Sequence, residues 1–384
     1  MRGLAVALAF VTFSVPAAAG QTGSKGRVAF LDGHKLVVLD LATGKRTVAL
    51  AHAPPGPIRW SGDGKLLSDG GRVVGGPALP TDRLVWAPSG ETAAYERQDG
   101  TVVVWSPGRS RTAVPGPWGA TSLAWGPNGA LALGRYVCHV PCGIPLHQEV
   151  WIWQDGSLRR VAGPLRGVVR PVVTGFTGDG RVLWWADIQG SASLSADGLT
   201  LYANRTRIGR TLVFPDYVVR CGSHLALAAG GDRYATLGKR ILLDGRDVSR
   251  DGSRSWVSPS CNPTTSSLVA AASRSREESR FGAEHRAIWQ VLPNRRQLTR
   301  PPPGRTDEDP TVLANGSILF VRTKQSARKM NGEWVTTTRG VLELLAHGKL
   351  QRIASLSFSA SDSSAMWLNY YGHYNWPERI AVAP

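Results

Sequence analysis

Long apolar runs are missing from this sequence beyond its first residues. No later segment reads as a transmembrane helix, which needs about 20 consecutive apolar residues. Long amphipathic stretches at helical period are missing too, and the weak polar stretch 273–285 reads as an extended loop. Carboxylates are in deficit, with 28 Asp and Glu against 45 Lys and Arg and a formal net charge of +17. There is no G-x-S-x-G elbow, no H-E-x-x-H, no P-loop and no EF-hand loop. These gaps remove the commonest serine-hydrolase, zinc-peptidase, nucleotide and calcium contexts.

The start of the chain has the layout of a secretory signal. Arg2 gives a positive n-region, Leu4 to Val15 a short apolar core, and Pro16-Ala17-Ala18-Ala19 an A-x-A cleavage site before Gly20. No cysteine follows the apolar run, which argues against a lipid anchor. Residues 1–19 are therefore expected to be a signal peptide and residues 20–384 one exported, extracytoplasmic domain, in the periplasm, the cell wall or the medium. No membrane span would remain after cleavage.

Cysteine is scarce, but its number, four, is even, which suits an oxidising compartment. Three connectivities are open, of which Cys138–Cys142 with Cys221–Cys261 pairs local neighbours. Cys138-His139-Val140-Pro141-Cys142 fits neither the C-x2-C spacing of zinc sites nor the C-x-x-C-H of haem attachment, so a structural disulfide is expected there.

What the sequence has in abundance is internal repetition. One half-motif is an aromatic or apolar residue, three small or turn residues, a glycine and an apolar strand. It occurs at Trp60–Gly64, Trp86–Gly90, Trp125–Gly129, Phe176–Gly180, Leu194–Gly198 and Val312–Gly316, with a decayed copy from Phe358. The Asp-Gly and Asn-Gly pairs supply the positive φ that tight hairpins need. A second half-motif is a strand, a turn and a basic strand, as in Val150-Trp151-Ile152-Trp153 followed by Gly156 to Val161. Eight candidates for this second half can be counted. Alternation at the length of a four-stranded unit predicts an all-β propeller of seven or eight blades. Because the chain opens on a second half and closes on a first, its two ends are expected to share one blade and close the ring.

Trp60-Ser61-Gly62-Asp63-Gly64-Lys65-Leu66-Leu67 and Trp86-Ala87-Pro88-Ser89-Gly90 resemble the repeat of the TolB-like (WD40-like, PD40) propellers. The resemblance spans nearly all of the chain after the leader. It implies the fold, and it leaves activity open, because related repeats also cap peptidases and occur in extracytoplasmic binding proteins. TolB proteins place an α/β domain before the propeller, whereas Arg27 to Leu39 here already reads as blade strand. A role copied from the Tol–Pal envelope system is therefore not expected.

The excess positive charge gathers in the second half-motif, at Lys45, Arg46, Arg109, Arg111, Arg159, Arg160, Arg295, Arg296, Lys349 and Arg352. These positions fall on outermost strands, where Lys and Arg block edge-to-edge pairing. Weak, salt-sensitive adhesion to anionic envelope polymers follows as a by-product. The aromatics are not interleaved with the Arg clusters, which argues against nucleic acid.

The remaining candidates are few. Tyr370, Tyr371, His373, Tyr374 and Trp376 form an aromatic and polar segment suited to stacking on a sugar or anchoring a partner, and equally placed for blade closure. Asp307 and Asp309 lie where a blade approaches the central channel and are the candidate metal ligands, although a solvated loop accounts for them as well. The expectation is a monomeric, non-enzymatic binder of an envelope protein or glycan, without a cofactor. The competing expectation is a propeller lyase or metal-dependent hydrolase with its site in the channel.

Overall fold

The repeated turn residues act as the half-motif requires. Gly64 sits at φ +69° and Gly316 at φ +83°, a region closed to most side chains, and each N–H closes a turn, onto Ser61 O at 2.8 Å and Leu313 O at 2.9 Å. On either side the apolar residues form antiparallel ladders, Trp60 opposite Leu67 and Val312 opposite Ile318.

The computed structural model describes residues 26–54, 56–81, 83–109, 111–116, 120–138, 145–187, 198–212, 218–230, 239–262, 265, 267–275, 278–279, 282–283, 285–324, 328–330, 333–335, 339–357 and 376–384. Residues 1–19, Cys142, Tyr370, Tyr371, His373 and Tyr374 lie outside them, as does the decayed repeat from Phe358.

The described ladders divide into eight blade units, each running from its inner strand outward. Blade I is Ile380–Val382, Arg27–Asp32, Lys35–Asp40 and Arg46–Leu50. Blade II is Ile58–Trp60, Leu67–Asp69 and Arg72–Val73, with a backbone bridge from Arg72 to Ala78 in place of a fourth strand. Blade III is Val85–Trp86, Ala93–Glu96, Val102–Trp105 and Thr112–Ala113. Blade IV is Ala120–Trp125, Leu131–Cys138, Pro145–Gln154 and Ser157–Ala162. Blade V is Arg170–Phe176, Val182–Asp187, Gly198–Ala203 and Thr206–Leu212. Blade VI is Val218–Cys221, His224–Gly230, Lys239–Leu243 and Arg246–Asp247. Blade VII is Arg254–Cys261, Leu268–Arg274, Ala287–Leu292 and Arg296–Gln297. Blade VIII is Thr306–Val312, Ile318–Thr323, Arg339–Ala346 and Lys349–Ser357.

Val28, Ala29 and Phe30 pair antiparallel with Val382, Ala381 and Ile380, so the two chain ends share blade I. One assignment in the repeat is corrected. Leu194–Gly198 is not the start of a blade, because Gly198 begins the third strand of blade V. The stretch 273–285 carries a small hairpin, Glu278–Ser279 with Gly282–Ala283, and Arg328–Met330 with Glu333–Val335 form a second one in blade VIII.

The core lies between blades rather than within any one of them. Leu183, Trp185 and Leu201 of blade V pack with Leu225 and Leu227 of blade VI, and Trp256 and Ile288 of blade VII pack with Phe320 of blade VIII. Trp185, Trp256 and Trp376 are fully buried, each worth roughly 2–3 kcal/mol of transfer from water. A blade thus has no complete core of its own. Cys221 and Cys261 are bridged, with Cα atoms 5.4 Å apart, joining the inner strands of blades VI and VII as expected.

Candidate functional site: the loop-rich face

The two ends of the blades are unlike. At one end the strands turn within a few residues, as at 155–156, 204–205, 244–245 and 347–348. At the other end second strands lead to third strands. There blades I and II connect through 33–34 and 70–71, whereas blades IV to VIII connect through 139–144, 188–197, 231–238, 275–286 and 324–338. This second end is the loop-rich face.

Charged side chains sit just beneath it, at the ends of apolar strands. Arg170 Nε donates to Asp187 Oδ2 at 2.6 Å across the first two strands of blade V, and Asp187 is fully buried. Near the same end of blade VIII, Arg322 donates from Nε to Asp307 Oδ1 at 2.6 Å and from Nη2 to Oδ2 at 2.9 Å. Glu149 receives Trp151 Nε1 at 3.0 Å, Arg160 Nη1 at 3.0 Å and Arg135 Nη1 at 3.1 Å. Burial works to raise its pKa, but these donors hold it below the ordinary carboxylate range. Arg286 of blade VII donates to Glu308 of blade VIII at 2.9 Å with both side chains buried. Burial outweighs that arginine, and Asp309 and Asp307 add like charge, so Glu308 is pushed up to about 8.

Asp69 differs from these carboxylates. It ends the second strand of blade II, is fully buried, and among the described residues neither of its oxygens accepts a hydrogen bond. Burial raises it to about 7, against the opposing charge of Arg379. Arg379 belongs to the helical turn Trp376–Arg379 that enters the last strand, and its Nη1 donates to Gly56 O at 3.0 Å. Glu378 of the same turn meets Arg83 at 3.3 Å, and Trp60 Nε1 donates to Ala381 O at 3.1 Å. The chain end is thereby tied to blade II and to the segment that enters blade III.

The residues singled out in the sequence fall as follows. Trp376 is in the core with Val28, Leu342 and Leu356, in the blade-closing position rather than on a surface. Asp307 and Asp309 share the inner strand of blade VIII but meet different partners. Arg322 occupies both oxygens of Asp307, while Asp309, half-buried at φ +50°, accepts from Ser258 Oγ at 2.7 Å. Burial raises the pKa of Asp309 as well. Among the described residues no three His, Cys, Asp or Glu side chains are gathered closely enough to hold a metal ion. Among the same residues no helix is long and apolar enough to cross a membrane.

No family model matches the chain, and no curated protein matches it. Solved structures do. TolB from Acinetobacter baumannii is 13% identical at a TM-score of 0.37, over 94% of this chain and 67% of that one. The chain's own strand pairings, antiparallel units of three or four strands in sequence, are those of a β-propeller. The β-propeller domain of the Trilobed protease from Pyrococcus furiosus is 8% identical at a TM-score of 0.44, over 86% of this chain and 95% of that one. Porphyromonas gingivalis dipeptidyl peptidase 4 is 11% identical at 0.44, over 86% of this propeller, which spans about half the length of that peptidase (49%). These likenesses concern the fold alone.

Proposed function

We propose that the chain is exported, loses residues 1–19, and acts outside the cytoplasm as a non-enzymatic propeller that binds an envelope protein or glycan. Its binding surface on this reading is the loop-rich face. The observation that carries the reading is how carboxylates are used there. Toward that face Asp187 ends the second strand of blade V, Asp307 lies near the start of the first strand of blade VIII and Glu149 lies in the third strand of blade IV, each held by a guanidinium group. The two donors on Asp307 and the three on Glu149 hold those oxygens in hydrogen bonds and ion pairs, where they act as struts between strands. The Cys221–Cys261 bridge and the leader pattern support an oxidising compartment.

A second reading, a propeller enzyme working in the channel, is favoured by one observation. Glu308 and Asp309 are adjacent carboxyls that burial holds above the ordinary range, as a general acid requires. Assay of the purified chain against ester, lactone and glycan substrates separates the two. Absence of turnover together with recovery of the mature chain outside the cytoplasm agrees with the binder. Turnover that vanishes in Asp309→Asn, with the fold intact, would replace it with the enzyme.

A further inference from the structure

Arg46, Arg159, Arg160, Arg296, Lys349 and Arg352 lie on outer strands as expected, whereas Lys45, Arg109, Arg111 and Arg295 lie in the segments that lead into them, and the structure adds how several of these side chains are held. Arg46 of blade I donates to Ile353 O of blade VIII, and Arg205 Nε of blade V donates to Val161 O of blade IV at 3.3 Å. Arg295 Nη1 of blade VII donates to Ser249 O and Arg250 O, next to blade VI, at 2.6 and 2.9 Å. A carbonyl fixes a guanidinium but leaves its charge uncancelled. Such a contact staples neighbouring blades and keeps the cation available.

The staple at Arg205 joins two arginine-bearing hairpins. It ties the turn of blade V's outer hairpin, two residues before Arg207, to Val161 of blade IV's outer strand, next in sequence to Arg159 and Arg160. Arg210 follows on the same blade V strand, pinned by Gly198 O at 2.8 Å. These five arginines are exposed, and Arg160 alone among them has a carboxylate partner among the described residues, Glu149. Against five cations the two hairpins offer Glu149 and an exposed Asp155. Edge protection accounts for cations on each outer strand. It does not account for Arg205 and Arg210 being fixed on backbone carbonyls, since a repulsive edge needs no fixed geometry.

We propose that the outer edges of blades IV and V form a binding surface for an acidic polysaccharide. The inference rests on the export reading for its choice of polymer, since that places the chain among envelope glycans. Cations spread along two strands suit a linear polymer better than a small anion. The planar guanidinium fork pairs with carboxylates bidentately, and fixing Arg205 and Arg210 beforehand lowers the ordering cost of binding.

The test is binding of the purified full chain to alginate, a linear polyuronate, between 50 and 300 mM NaCl, with neutral dextran as control. The comparison variant is Arg159→Gln with Arg207→Gln, two arginines that have no ion-pair partner among the described residues. Expected is alginate binding that weakens with salt, and a loss of roughly three- to thirty-fold in the double variant at an unchanged melting temperature. Equal affinity of the variant, binding indifferent to salt, or tighter binding of a single-stranded oligonucleotide of matched charge would each overturn the proposal. If the double variant aggregates, the single variants Arg159→Gln and Arg207→Gln replace it, and alginate affinity unchanged in both while soluble again overturns the proposal. Finding the chain in the cytoplasm would sink the export reading and leave the alginate result standing, so the two failures are distinguishable.

Discussion

Arg322 grips Asp307 through two parallel hydrogen bonds, at 2.6 and 2.9 Å, across the first two strands of blade VIII. Asp307 is fully buried, and little of the Arg322 side chain reaches water. The pair replaces solvent for both partners, and neither can be removed alone without leaving a charge stranded. Arg322→Met is therefore expected to cost about 3–5 kcal/mol in urea unfolding. Replacing both, as Asp307→Leu with Arg322→Met, should recover most of that loss. A single variant as stable as the parent would show that the grip is decorative.

Asp69 makes stability depend on pH in the direction opposite to most carboxylates. Its folded pKa is raised to about 7 from an ordinary 3.8. Between those values the folded chain holds a proton that the unfolded chain releases. The contribution is thus fully present below about pH 4 and is lost as pH rises through 7, by at most about 4 kcal/mol. Asp69→Asn should flatten this fall and raise the melting temperature at pH 8 relative to the parent. Parallel curves for parent and variant from pH 4 to 8 would refute the assignment.

The Cys221–Cys261 bridge closes a separation of 40 residues between two inner strands. In the loop-entropy model that is worth about 4 kcal/mol. Cys221→Ser with Cys261→Ser should lower the unfolding midpoint accordingly. Reductant should lower the parent toward the double variant and leave the variant itself unmoved.

Gly62 is where consecutive turns touch. A Cβ there would lie 2.3 Å from Ser89 N and 2.4 Å from Ala87 O, both backbone atoms of the next repeat. Backbone cannot step aside as a side chain can. Gly62→Ala should cost about 1–3 kcal/mol by forcing blades II and III apart. Gly90→Ala is the control, with open space around its Cβ, and should show only the strain of its φ of +69°.

The blades were legible because each is encoded locally. A hairpin needs its Asp-Gly or Asn-Gly turn and its apolar flanks within a short window, and the eight second halves correspond to the eight blade units. Leu194–Gly198 misled for the same reason. An Asp-Gly pair says that a turn is present but not which of a blade's turns it is, and Gly198 opens a third strand. The edge cations were visible from the repeat, but their carbonyl staples were not, because Arg46 and Ile353 lie 307 residues apart. The buried charges left one unread signal. Leu67–Asp69, Val182–Asp187 and the run from Ile318 to Arg322 are apolar strands that end on a charge, all toward the loop-rich face. A charge at a strand end ordinarily reads as solvated, and only cross-strand pairing shows Arg170 waiting for Asp187. For Trp376, periodicity could not separate surface from closure, since the strand it leads into has its partner at the other end of the chain.

Site-specific photocrosslinking in intact cells bears most directly on the central claim, that this propeller is an exported binder. A photoreactive residue at His285, in the connection of blade VII on the loop-rich face, is compared with one at Asp244, in a turn of blade VI at the opposite end. The expected result is a mature chain outside the cytoplasm and a discrete adduct to one envelope protein or glycan from His285 but not from Asp244. A chain retained in the cytoplasm, or adducts indifferent to position, would contradict it.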